Sequence, residues 1–589
     1  MPPNPLFFLL WAQSASVRFE IVERDGLART GELELDGAKV TTPAIAFVDT
    51  KCFPAPENSL KMRSIDRAGP EDLLIAPSGF GSGMEREKKA DARIEPGYRG
   101  SPYAEVPDAT AILTPSRTSE LLLDSRKFVD ALESLKNGDN LLKPLLCSVL
   151  GLPHRLALLA YTGFDLFDSL PLIMASENGS FLTSTGVLPY ERLADLPCSC
   201  PHCGSGKRSK EHLLKHNYET AQIELKLVRH AISQGTLREL VENRVRTDPW
   251  LVQNLRLLDI EHQELLERHA PIKGAAFHAG SKESLSRPEI IRWRKRLEQR
   301  YHRPPRARIL VLLPCSARKP YSLSKSHHRF RQAIQGSGKA DIVHEVIVTS
   351  PIGLVPRELE LFYPAQDYDI PVTGHWDRDE KTLAEEMVSW LVSTQSYDMV
   401  ISHLGDEREP VNSVLKDFTD TSMGSPGSSE SLDRLEKTLK ESGLDTFDRG
   451  APTRFIEDLR SICRFQFGDA GAKLCDEAHL WGRWPHVKIM RGDKQLGMLT
   501  GERGMISLTL EGGKVIAPSG DYSVEIDDFV PKGNLFAVGV EGAGKGFRIG
   551  DDVVVVHAGD ARAVGVAVMT PEEMILADRG EAVHVRHAR

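Results

Sequence analysis

The spacing of apolar positions changes several times along this chain, and each change marks a candidate domain. Val17-Arg18-Phe19-Glu20-Ile21-Val22 alternates with period two, turns at Asp25-Gly26, and resumes in Arg29-Thr30-Gly31-Glu32-Leu33 before Thr41-Thr42-Pro43-Ala44. That pattern predicts an entry hairpin. Short apolar runs then alternate with helical stretches such as Arg117 to Ser134 and Tyr218 to Ser233. The alternation predicts a (β/α)8 barrel, which at a typical size of about 250 residues would close near residue 265. A charged, proline-punctuated connector, Lys282 to Arg308, leads to a second α/β unit. In it Arg308 to Leu313, Ile342 to Thr349, Asp369 to Thr373 and Asp398 to His403 read as strands, with helical patterns at Ser326 to Gln335 and Lys381 to Val392. These make a small three-layer α/β domain. Met423 to Ser429 is loop or linker by composition, and from Val487 onward glycine-broken short strands predict small β-rich modules.

The expected class is therefore α/β multidomain: a degenerate barrel over 16–270, an α/β core over 285–420, a small α+β linker domain over 435–512 and a terminal β-barrel over 513–589. A chain of 589 residues is too long for one core. Hydrophobic content of 41% with 27% charged residues is ordinary for a globular protein, and a net charge of -9 argues against a nonspecific polyanion binder while leaving room for a local RNA-binding patch. The apolar start, Pro5 to Ala12, is too short to span a bilayer and has no basic flank. Met1 to Ala15 reads as a frayed extension, and the expectation is a cytoplasmic protein with no membrane partner. Composition leaves a homo-oligomer open.

Two segments carry chemistry. Cys198-Ser199-Cys200-Pro201-His202-Cys203 sets three thiols within six residues, and a helix beginning near Lys210 brings His212, His216 and His230 within reach. Three sulfurs and one imidazole make a closed tetrahedral site, the pattern of structural zinc. The second segment, Pro314 to His328, follows the apolar run Ile309 to Leu313. It packs a possible nucleophile (Cys315), a cation (Lys319), a phenol (Tyr321), hydroxyls (Ser322, Ser324) and imidazoles (His327, His328) into one loop at the end of a predicted strand. Open α/β sheets place their ligand crevice there, so this loop is the candidate active site. Asp367, Asp369, His375, Asp377, His403 and Asp406 lie at or after later strand ends and could complete the crevice, His403 being the best placed; singly, each is more often a solvated loop residue.

Gly163-Phe164-Asp165-Leu166-Phe167-Asp168-Ser169, followed by the cysteine cluster and Leu214-Lys215-His216-Asn217, resembles archaeal tRNA-guanine transglycosylases, as does the entry hairpin with Arg24-Asp25-Gly26-x-Ala28-Arg29-x-Gly31. The resemblance implies that His216 is the fourth metal ligand and that Asp168 occupies the position of the family's nucleophilic aspartate. The family's second segment, Asp-Ser-Gly-x-Phe/Tyr-Gln, has no counterpart; Pro77-Ser78-Gly79-Phe80 carries proline in place of the aspartate. Base exchange needs both carboxylates, so Asp168 marks ancestry more than activity.

Pro314 to His327, read as Pro-Cys-x-x-x-Lys-Pro-Tyr-x-x-Ser-x-x-His, resembles the signature of archaeosine synthases, transglycosylase paralogues that act on tRNA already carrying 7-cyano-7-deazaguanine in the D-loop. The resemblance implies an amine donor joined to the nitrile: lysine in the current view, glutamine in an older one, with a radical enzyme partner completing archaeosine. A thiolate of Cys315 could attack the nitrile carbon and be displaced by an amine, with Lys319 lowering the thiol pKa or polarising the nitrile. Tyr321, Ser324 and His327 belong to the same signature, Tyr321 and His327 as candidates for moving protons or positioning the donor. Direct attack by the amine is the alternative. The runs Gly533 to Val540, Arg548-x-Gly550-Asp551-x-Val553 and Arg579-Gly580-x-Ala582-Val583 resemble a PUA domain, which implies tRNA as partner, with Lys545, Arg548 and Arg579, and also Arg586 and Arg589, on phosphates. Two other functions stay open: base exchange through Asp168, and a non-catalytic subunit that presents tRNA to the radical enzyme.

Overall fold

The structure, a computed structural model, describes residues 18–35, 38–63, 73–74, 94–96, 112–114, 124–136, 138–204, 208–371, 376–405, 409–447 and 453–589. The extension at Met1 to Ala15, the Pro77 to Phe80 segment, His375 and Asp406 lie outside them. The chain forms two compact units, 1–270 and 271–589.

The first unit opens as expected, with an antiparallel sheet of Arg18–Asp25, Ala28–Leu35 and Ala38–Thr42. Gly26 takes a positive φ of 66° at the tight turn, a conformation that glycine adopts without a side-chain clash. Arg29 is buried and chelates Asp165 through Nε at 2.9 Å and Nη2 at 3.0 Å, so the hairpin is bolted to the segment that leads into Leu166–Asp168. That strand lies in a parallel sheet ordered Leu73–Leu74, Leu60–Arg63, Ala44–Val48, Leu166–Asp168, Leu146–Cys147. Among the described residues the sheet has five strands. The expected alternation of strand and helix does not continue to residue 265: Lys210–Gln234, Leu237–Val245, Pro249–Glu261 and Gln263–His269 are helices in succession. The first of these buries Leu214, Tyr218, Ala221, Leu225, Val228 and Ile232 at three- and four-residue spacing, a face that only a helix presents. Ser209 caps its start, accepting from the His212 amide at 3.2 Å, and Gly235 ends it in the left-handed conformation.

In the second unit Ile309–Pro314 is buried at every position, as a central parallel strand must be when both faces are covered. Its neighbours Val343–Thr349 and Met399–Ser402 run parallel to it, with Gly353–Pro356 antiparallel at one edge and Thr419–Asp420 at the other. Alternation along the central strand divides the core. Ile309, Val311 and Leu313 join Phe330 and Ile334 of the helix Lys325–Gly336, together with Leu435 and Leu439 of the helix Ser429–Lys440. Leu310 and Leu312 face the opposite cluster with Met387 and Leu391 of Arg378–Thr394 and Trp293 of Pro288–Arg300. Three layers result. The strand expected over Asp369 to Thr373 is instead the two-residue Tyr368–Asp369, paired with Phe277–His278 in a separate ladder; residues 372–375 are outside the described set. The rest of the unit holds a four-stranded antiparallel sheet over 479–508 and a six-stranded sheet over 523–588.

Candidate functional site

Cys315 follows directly on the central strand and is partly buried. Tyr321, in a single 3-10 turn, is fully buried, and its hydroxyl meets that of Tyr368 at 2.5 Å; Tyr368 in turn meets the Thr349 hydroxyl at 2.7 Å. Thr349 ends the strand next to the central one, so the hydroxyl chain is anchored on the sheet. Lys319 sets its ammonium 4.0 Å from the centroid of the Tyr368 ring. Burial pushes the Lys319 pKa down, while the charges of Cys315 and Asp369 pull it back up. Burial pushes both phenols above their ordinary range, followed by the nearby Cys315 for Tyr321 and by Tyr321 and then Cys315 for Tyr368. The thiol therefore sits among an amine and two protonated phenols, and a thiolate there gains from the amine.

Ser324 and His327 are both engaged within the fold. The Ser324 hydroxyl caps the helix Lys325–Gly336 by accepting from the His327 amide at 3.2 Å. His327 is 1% exposed, and its Nδ1 lies 2.7 Å from Nη2 of Arg357. A guanidinium can only donate, so Nδ1 accepts and the ring proton sits on Nε2. Burial, reinforced by Arg357, keeps this imidazole well below its ordinary pKa and therefore neutral. Arg357 also pairs with Glu345 at 2.7 Å and Glu360 at 2.9 Å, and Glu360 accepts from the Ser322 amide at 2.9 Å. One guanidinium thus ties the loop's middle, the following helix and the adjacent strand together.

Of the remaining candidates, His403 is buried with both nitrogens engaged, Nδ1 with the Thr421 hydroxyl at 2.8 Å and Nε2 with the Pro426 carbonyl at 2.9 Å. It is a strut between segments, and burial holds its pKa down to about 4. Asp377 caps the helix Arg378–Thr394. Asp369 is exposed at the end of its short strand, close enough to act on Lys319. Tyr368, Thr349, Arg357 and Glu360 were not foreseen from the sequence. The signal that could have raised them is a tyrosine, a threonine and an Arg-x-x-Glu pair near later strand ends, each too common to single out.

In the first unit Cys198, Cys200, Cys203 and His216 bring one ligand atom each within 4.8 Å of the others. His216 Nδ1 lies 3.4 Å from the Cys203 sulfur and 3.6 Å from that of Cys200, while Nε2 meets the Leu182 carbonyl at 2.9 Å. A carbonyl on the far nitrogen fixes the tautomer that frees Nδ1 for a metal, the usual outer partner of a ligating histidine. The ring also stacks on Phe181 at 3.8 Å. Burial, and then the neighbouring sulfurs, pushes the Cys203 thiol up to about 12, a penalty that a bound cation would relieve. His212 is partly buried and engages Ser209 at 2.8 Å, at the helix start. The residues fit a metal ion.

Asp168 ends its strand and is 1% exposed. Its oxygens accept from the Val149 amide at 3.0 Å and the Leu170 amide at 2.9 Å, and burial raises its pKa to about 6. Between the strands of the terminal sheet Lys545 and Arg579 are exposed; Arg548 donates to the Lys545 carbonyl at 3.2 Å and the Phe547 carbonyl at 2.9 Å. Arg586 pairs with the buried Asp552 from within the last strand, and Arg589 pairs with Asp560 at 2.6 Å.

Three family profiles match: Queuine tRNA-ribosyltransferase over residues 118–249, a domain of unknown function (DUF5591) over 290–439, which spans the Cys315 loop, and PUA domain over 523–588. Together with the cysteine–histidine cluster they define a multidomain tRNA-modifying transferase related to the tRNA-guanine transglycosylases, one of which, the tRNA-guanine(15) transglycosylase of Methanothermobacter thermautotrophicus, is 28% identical over 74% of this chain and 64% of its own. Full-length likeness lies elsewhere. Archaeosine synthase subunit alpha of Methanosarcina acetivorans is 33% identical and archaeosine synthase of Haloferax volcanii 34% identical, each over 97% of this chain and 99% of the relative. The chain belongs to the archaeosine synthase family. No helix among the described residues is long and apolar enough to cross a membrane.

Proposed function

We propose that this chain joins an amine donor, lysine (glutamine in the alternative view), to the nitrile of 7-cyano-7-deazaguanine in the D-loop of tRNA, and that a radical enzyme partner completes archaeosine. The observation that carries the proposal is the meeting of Cys315, Lys319 and Tyr321, with Tyr368, at the end of the central strand. The Cys315 thiolate adds to the nitrile carbon and the nitrogen takes a proton, giving a thioimidate. The donor amine then adds to the same carbon and the thiolate leaves, giving an amidine. Lys319 holds the thiolate charge, and the Tyr321–Tyr368–Thr349 hydroxyl chain is the proton path. Ser324 and His327 position the loop.

The Cys198, Cys200, Cys203 and His216 cluster holds zinc in this proposal, with all four positions filled by protein, so its role is to staple the first unit. The terminal domain grips tRNA through Lys545, Arg548 and Arg579. Purified chain, cyano-modified tRNA and lysine, with no other protein, should give a mass increase on the modified base equal to the donor. Cys315→Ala and Lys319→Ala should each abolish it without loss of tRNA binding, and Asp168→Asn should retain it. Activity persisting in both loop variants would remove this loop as the active site; absence of any mass increase would leave catalysis to the partner.

A further inference from the structure

The antiparallel sheet of His479–Arg483, His486–Arg491, Lys494–Leu499 and Ile506–Leu508 has two unlike faces. One is core: Val487, Ile489, Leu499, Ile506 and Leu508 are buried in the main apolar cluster of the second unit. The other carries Trp481, directly opposite Lys488 in the register, with His479 opposite Met490 and Arg483 opposite His486. Trp481 is 65% exposed, and the Lys488 ammonium stands 4.9 Å from its ring centroid. Glu502 reaches this face only as a 3.8 Å contact to His486, and both side chains are solvent-exposed. A positive aromatic surface on a chain of net charge -9 is a local device.

The face is also rigidly mounted. Next to Lys488 in the register stands Met498, and next to Met498 stands Ser507, whose hydroxyl accepts from Arg503 at 2.8 Å. Arg503 continues to the Gly550 carbonyl at 3.1 Å and to the buried Asp552, both within the segment that matches the PUA profile. The sheet face is therefore continuous with the domain expected to hold RNA.

We propose that this face is a stacking platform for an unpaired nucleotide of the RNA substrate: the indole of Trp481 takes the base, and Lys488 and Arg483 take the flanking phosphates. It rests on the tRNA-modifying function above and extends it to a surface apart from the Cys315 loop. An exposed aromatic ring among cations, with no acid opposite it on the sheet, is the chemistry of grooves that bind single strands, which combine base stacking with backbone charge neutralisation. A protein-binding patch would be expected to exclude charge from its centre.

The test uses the full chain with a tRNA transcript, a short single-stranded RNA and a blunt RNA duplex, measured by filter binding across a salt series. Trp481→Ala should weaken binding of tRNA and of the single strand by about 5-fold to about 100-fold. Trp481→Phe should restore most of that affinity, and Lys488→Ala should lower the salt slope by about one. Thermal melting by circular dichroism should be unchanged in all three, since the side chains are on the solvent face. Unchanged tRNA affinity in Trp481→Ala overturns the proposal, as does an equal loss in Trp481→Phe or an equal loss on the duplex. A wild-type chain that binds tRNA through Trp481 but adds no donor to the cyano-base would refute the proposed catalysis and leave the platform standing.

Discussion

Tyr368 separates what is local in the sequence from what is local in space. Cys315, Lys319, Tyr321, Ser324 and His327 fall within one loop and one helical turn, so their density was legible without a structure. Tyr368 comes from a two-residue strand with no periodic signal, yet its ring lies under Lys319 and its hydroxyl joins Tyr321 to Thr349. The two contacts can be separated. Tyr368→Phe keeps the ring and loses both hydroxyl contacts, to Tyr321 and to Thr349, which breaks the proposed proton path, and the single-turnover rate of donor addition should fall about 100-fold, the scale of general acid–base catalysis. Tyr368→Leu should fall about 5-fold further, once the cation–π contact is also gone. Equal rates in the two variants would show that the lysine–ring contact does not matter. The metal site teaches the same lesson: spacing alone left His212, His216 and His230 open, and the choice falls on His216 because Ser209 captures His212 at the helix start while Leu182 and Phe181 hold the His216 ring.

At the scale of elements, the central strand and the helix after it were legible because one is uniformly apolar and the other strictly periodic. The edge strand Gly353–Pro356 was not, being four residues bounded by glycine and proline, and the expected strand at Asp369 to Thr373 failed because its apolar run is too short to outweigh the pairing of Tyr368–Asp369 with Phe277–His278. What fixes the Cys315 loop on these elements is Arg357. Burial opposes the charge on Glu345, but Arg357 outweighs it and holds that carboxylate below its ordinary value. Arg357→Met should leave Glu345 and Glu360 as buried unpaired charges and cost about 3–5 kcal/mol. Urea unfolding should show a lower midpoint for the second unit, and Arg357→Met combined with Glu345→Gln and Glu360→Gln should recover part of it. An unshifted midpoint in the single variant would mean that the network does not secure the loop.

At the scale of the molecule, the terminal β-rich region and the transglycosylase-like start were legible from glycine-punctuated strands and from motif spacing, and both match family profiles. The helix beginning at Lys210 was legible, but the unbroken succession of helices to His269 was not, because a barrel and a helical array share the same apolar period over each helix and differ only in the strands between. Two compact units also make metal removal selective. A strong chelator should lower the melting transition of the first unit and leave that of the second in place, and Cys200→Ser should reduce bound zinc below one per chain; a single shifted transition for the whole chain would contradict this. The Asp552 knot matters for a different reason. Asp552 is shared by Arg503 from the loop after Lys494–Leu499, the Leu508 amide at 2.6 Å, and Arg586 from the last strand. For protein engineering this means that a trimmed expression variant that stops short of Arg586 removes a clamp shared by two sheets and should be avoided as a crystallisation target.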